Sequence, residues 1–111
     1  MAPIIVEMNN EKESDIQTAI IQYLRLKKYV VFKHHSTGFA VREGKIAPFR
    51  YGDRGISDII ACSPTGQFVA IEVKRAKGVV SDDQAAFIRE VLHNRGIAFV
   101  AKSLDDVMAQ I

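Results

Sequence analysis

Apolar residues recur along this chain in two rhythms, one helical and one extended. Ile16, Ala19, Ile20, Tyr23 and Leu24 fall at three- and four-residue spacing, which predicts an amphipathic helix to about Lys27. Asn10 is its expected N-cap, with Glu11, Glu13 and Asp15 where the helix dipole favours negative charge. Residues 1–9, with Pro3 and mixed polarity, read as an arm. Tyr29 to Lys33 is a short apolar strand, followed by His34, His35 and a loop containing Gly38 and Gly44. Ile46 to Tyr51 is a further short strand whose Pro48 suits a sheet edge. Gly52-Asp53-Arg54-Gly55 turns the chain into two β-rich runs, Ile56 to Cys62 and Phe68 to Lys74, joined by Ser63-Pro64-Thr65-Gly66. Ser81-Asp82-Asp83-Gln84 has the form of a capping box. It opens a helix with Gln84, Phe87, Ile88, Val91 and Leu92 inward and Gly96 as the residue that ends it. Ile97 to Ala101 is a buried strand, and Ser103 caps a short helix whose Leu104, Val107 and Met108 face inward. The order α-β-β-β-β-α-β-α predicts one α/β domain over residues 1–111, a central mixed sheet flanked by helices.

Chemistry enters where charge interrupts the apolar runs. In the strand after Gly66, Phe68, Ala70, Glu72 and Lys74 share one face, and Val69, Ile71 and Val73 share the other. Glu72 and Lys74 are then roughly 7 Å apart at ~3.4 Å per residue. The hairpin brings Asp58 beside Glu72. Two carboxylates and an ammonium among aliphatic residues are costly to bury unless they pair or hold a metal. Asp58, Glu72 and the backbone carbonyl of Val73 are hard oxygen ligands suited to Mg2+ or Mn2+; such an ion stabilises charge on a phosphoryl oxygen and activates a bound water, and Lys74 would lie beside both. The competing reading is a solvated Glu-Lys pair with an unrelated Asp near a turn. Glu13 lies at the edge of the inward helix face, either as half of a capping box with Asn10 or as a further acidic group of the site. Gln84 is likewise at an inward edge.

Charge and composition sharpen this picture. The formal net charge is only +2, but eight Lys/Arg stand between residues 25 and 54 against Glu43 and Asp53, a local net of +6. That third is the expected footprint on phosphates, by way of Lys33, Arg42, Lys45, Arg50 and Arg54. Arg75 and Lys77 add a basic loop near the proposed scissile phosphate. The single cysteine, Cys62, excludes an intrachain disulfide and is expected to be a buried apolar thiol. With that one thiol and His34, His35 and His93, the donor set is poor for structural zinc. No apolar run is long enough to span a membrane and no signal-peptide pattern opens the chain, so a cytoplasmic, intracellular protein is expected.

Asp58 followed by Glu72-Val73-Lys74 resembles the D…(D/E)-x-K signature of restriction-endonuclease-like nucleases. More narrowly, Gly55-Ile56-Ser57-Asp58, Gly66, Glu72-Val73-Lys74, Gly78, Ser81 and Gln84 resemble the VRR-NUC (virus-type replication-repair nuclease) family. Glu13-Ser14-Asp15-Ile16-Gln17 matches that family's opening E-x-x-(I/L)-Q. The resemblance runs from about Glu13 to the C-terminus and implies a restriction-endonuclease-like core. It implies a divalent-metal-dependent DNA endonuclease with Glu13, Asp58, Glu72, Lys74 and Gln84 in the site. Glu13 would assist through a water or a second ion, and Gln84 would orient the attacking water or Lys74. The Gly-x-Ser-Asp turn places Ser57 against DNA. Stand-alone members, often viral, act as homodimers on branched DNA such as four-way (Holliday) junctions, which implies a bacterial or phage-infected cell. Two other classes stay open: a catalytically silent DNA-binding or docking subunit of a replication or repair complex, and a flap or RNA nuclease.

Overall fold

The structure, a computed structural model, describes residues 12–34, 39–42, 45–48 and 55–111. In chain order these form α1 (Glu13–Leu26), β1 (Val30–Lys33), β2 (Phe39–Arg42), β3 (Lys45–Pro48), β4 (Ile59–Cys62), β5 (Phe68–Val73), α2 (Asp82–His93), β6 (Ile97–Ala101) and α3 (Leu104–Gln110). Four strands make one mixed sheet in the order β1-β4-β5-β6, antiparallel except for the β5–β6 pair. The β2–β3 hairpin is a separate two-stranded sheet. Among the described residues, no helix is long and apolar enough to cross a membrane.

Strand alternation divides the core into two layers. Val69, Ile71 and Val73 of β5 join Ile59 and Ala61 beneath Ile16, Ile20 and Leu24 of α1, with Ala101 and Val107 completing the layer. On the opposite face Ile60, Ala70 and Ala98 meet Val91, with Ile56, Phe87 and Ile88 packed against them. Branched aliphatics fill the first layer and contribute about 1.5–3 kcal/mol each. Alanines line the second, so α2 sits close to β5 and β6. Val30 and Phe32 of β1 and Phe68 of β5 remain exposed.

Several sequence expectations shift for identifiable reasons. The segment read as a loop after His35 contains β2, which gives the chain one more strand than expected. Helix α1 starts from Lys12, whose carbonyl takes the first helical hydrogen bonds; Asn10, the expected cap, lies outside the described residues. Cys62 is exposed, because it ends β4 opposite Val30 and Phe68, past the cover of α2. Leu92 and Met108 are half-exposed, since the inward stripes of their helices run through Ile88 and Val91 and through Leu104 and Val107. The left-handed residue ending α2 is Arg95 (φ 68°), not Gly96. Gly96 is required for space instead: a Cβ there would lie 2.6 Å from Val91 Cγ1. Its N–H bonds the Val91 carbonyl, as the Arg95 N–H bonds that of Leu92, so a Schellman motif closes the helix around an arginine.

Candidate active site

Antiparallel pairing of β4 with β5 matches Ile59 to Ile71, and continuing that register sets Asp58 opposite Glu72. Asp58 is held from both sides. Its Oδ2 accepts the Val73 N–H at 2.8 Å, and its backbone carbonyl accepts the His34 N–H at 2.7 Å. Glu72 is 1% exposed and shares the α2 side of the sheet with Ala70. Its Oε2 accepts from Gln84 Nε2 at 3.1 Å and faces Lys74 Nζ at 3.6 Å.

Gln84 serves two purposes at once. Its Oε1 accepts the Ser81 N–H and its own N–H donates to Ser81 Oγ, which completes the capping box of α2. Its amide nitrogen is then free for Glu72. Gly55 seats that helix start. With φ +77° and the Asp83 carbonyl against its Cα, an added Cβ would also stand 2.8 Å from Gln84 N. Gly55→Ala is therefore expected to push the first turn of α2 outward and destabilise the fold by about 2 kcal/mol or more, from left-handed strain plus overpacking. A thermal melt would show this as a drop of several degrees, and an unchanged midpoint would refute the contact.

Burial is the main reason that the Glu72 carboxyl is pushed up to about 8, followed by the neighbouring Asp58 carboxyl, which favours a proton there; Lys74 pulls the other way. The second oxygen, Oε1, is buried and has no partner among the described residues. A close carboxyl pair with one oxygen unsatisfied calls for a proton or a cation. Two hard carboxylates fit a divalent ion such as Mg2+ or Mn2+, which binds few protein groups and keeps waters. Among the described residues, no third His, Cys, Asp or Glu joins them in a cluster. Glu13 instead approaches from α1, where its Oε2 accepts the Arg75 N–H at 3.4 Å.

The expected DNA contacts divide. Arg75 and Lys77 are exposed on the turn leaving β5, next to Lys74. Lys33 is exposed, but it shares its row with Ile59, on the sheet face opposite Glu72. His34 directly follows β1, and its N–H bonds the Asp58 carbonyl. Ser57 is fully buried, and its hydroxyl has no partner among the described residues. Arg50, Arg54 and His35 lie outside the described residues, as do the side chains of Arg42 and Lys45. Sequence reasoning missed Lys102, whose Nζ donates to the Ala76 carbonyl at 3.0 Å. Only the parallel β5–β6 pairing, where the Lys74 N–H bonds the Ala101 carbonyl, brings it there.

Comparison with known proteins bears on this arrangement. No curated protein matches the chain in sequence. A solved structure described as a VRR-NUC domain superposes with a TM-score of 0.57 at 20% identity, covering 87% of this chain and 90% of that one, which shows a shared fold. The family model for the VRR-NUC domain matches residues 11–105, from the residues before α1 into the start of α3. The chain belongs to the VRR-NUC domain family and has its nuclease-type fold.

Proposed function

We propose that this protein is an endonuclease that hydrolyses phosphodiester bonds in DNA with Mg2+ or Mn2+. The observation that carries the reading is Glu72, a buried carboxyl opposite Asp58 in the β4–β5 register and 3.6 Å from Lys74 Nζ, with its other oxygen unpartnered among the described residues. Asp58, Glu72 and the Val73 carbonyl would hold the ion. When bound, the ion would stabilise negative charge on the phosphoryl oxygens and favour ionisation of water.

The remaining work falls to the side chains. Lys74 orients the attacking water and offsets charge as the pentavalent phosphorus forms. Gln84 holds the Glu72 carboxylate in place through its amide. Asp58 is kept in position by the Val73 N–H. The water oxygen bonds to phosphorus as the bond to the 3′ oxygen breaks. The water's proton passes to solvent, and the departing oxygen takes one up, leaving a 5′-phosphate and a 3′-hydroxyl.

The preferred substrate is branched DNA such as a four-way junction, cut by a homodimer. This finer reading rests on the family resemblance and on geometry, because a two-fold pair presents two sites for paired cuts in a symmetric junction. A gel assay of purified protein on linear, flap and four-way-junction DNA, with Mg2+, Mn2+ or EDTA, tests it. Cleavage of the junction with either ion and none in EDTA is expected. Cleavage of flaps alone by a monomer would remove the junction reading, and inertness on every DNA with either ion would remove the enzyme.

A further inference from the structure

The turn that follows β5 is tied down at four points. The Lys74 N–H donates to the Ala101 carbonyl at 3.0 Å, and the Gly78 N–H closes the turn on the Arg75 carbonyl at 2.8 Å. From one side the Arg75 N–H donates to Glu13 Oε2 at 3.4 Å. From the other, Lys102 Nζ donates to the Ala76 carbonyl at 3.0 Å. Lys102 is itself anchored: its N–H donates to Asp106 Oδ2 at 2.8 Å, and the Asp106 N–H donates to Ser103 Oγ. The cap of α3 thus fixes the backbone from which the ammonium reaches out.

A short surface turn with two exposed cations, Arg75 and Lys77, has little reason to be held from both flanks for the fold's sake. No hydrophobic residue of the core lies in it. Its location supplies a reason. The turn begins beside Lys74, and a Cβ on Gly78 would lie 3.1 Å from Lys74 Cβ, so turn and ammonium stem are in contact. A backbone already ordered loses less entropy when its side chains close on a phosphate.

We propose that Lys102 is a positioning residue that holds the Arg75–Gly78 turn as a preset grip on the DNA backbone beside the reacting phosphate. This rests on the nuclease reading above for the identity of the partner.

Amide exchange by NMR without DNA, together with steady-state cleavage, separates the alternatives. Lys102→Ala is expected to speed exchange at Gly78 about tenfold. It should raise KM for DNA about tenfold while kcat changes less than about threefold. Lys102→Arg, which keeps the donor, should restore both. Unchanged exchange and KM in Lys102→Ala would overturn the proposal. If the wild type cuts no DNA, the nuclease reading falls separately. Fluorescence anisotropy of uncut duplex on the same variants then decides the grip: weaker binding by Lys102→Ala supports it and unchanged binding ends it.

Discussion

Lys74→Ala is expected to lower kcat about 1,000-fold while leaving ion binding intact, and Asp58→Asn to lose both. The two differ because the residues do different things at one place. Lys74 is 16% exposed and meets Glu72 Oε2 through a single ammonium, so its removal deletes positive charge without opening the core. Titration with Mn2+ should give an affinity equal to the wild type's or tighter, since a competing cation has left. Asp58→Asn keeps an oxygen that can accept the Val73 N–H, so the β4–β5 hairpin should remain folded. It removes half of the carboxylate pair, and Mn2+ affinity should fall by about tenfold or more. Calorimetric titration and single-turnover cleavage on the same samples check this. Lys74→Ala retaining a substantial part of wild-type turnover would remove Lys74 from the chemistry. Asp58→Asn binding Mn2+ as the wild type does would remove the ion from this site.

That much could be read from the sequence because it depends on neighbours along the chain. Strand alternation alone sets Glu72 and Lys74 on one face, and the length of the Ser63–Gly66 turn sets Asp58 opposite. Gln84 was visible as a capping residue, and its second bond follows once α2 lies on the Glu72 side of the sheet. What was hidden depends on parts far apart in sequence. Strand β2 is four residues long and lies between Gly38 and Gly44, too short for alternation to register. Cys62 reads as buried from its apolar strand, but its exposure is decided by where α2 stops. Arg95 adopts the left-handed conformation because Gly96, the residue suited to it, is needed where Val91 and the Phe68 carbonyl come close. Lys102 carries no motif at all. Its role follows from β6 lying parallel to β5, a pairing that the crossover through α2 makes and no local pattern announces.

Without added metal, the wild type is expected to lose stability relative to Glu72→Gln as pH rises between about 4.5 and about 8. The folded protein keeps a proton on Glu72 up to about 8, whereas a glutamate in the unfolded chain releases it near 4.5. Between those values the folded state binds more protons, so each unit of rising pH favours unfolding by up to about 1.4 kcal/mol. Below the window the contribution is fully present, and above about 8 it is gone and the curve levels. Glutamine resembles the protonated acid and still offers an oxygen to Gln84 Nε2, so the variant lacks this slope while keeping the contact. Urea unfolding of both proteins in EDTA across this range compares the intact carboxyl pair with one whose Glu72 member is neutral. Saturating Mn2+ should flatten the wild-type slope, because the cation takes the proton's place between Asp58 and Glu72. The gain in stability from the ion should therefore grow with pH until about 8. Parallel curves for wild type and Glu72→Gln in EDTA would mean that Glu72 is ionised in the metal-free fold. The argument for a cation at this carboxyl pair would then lose its physical basis.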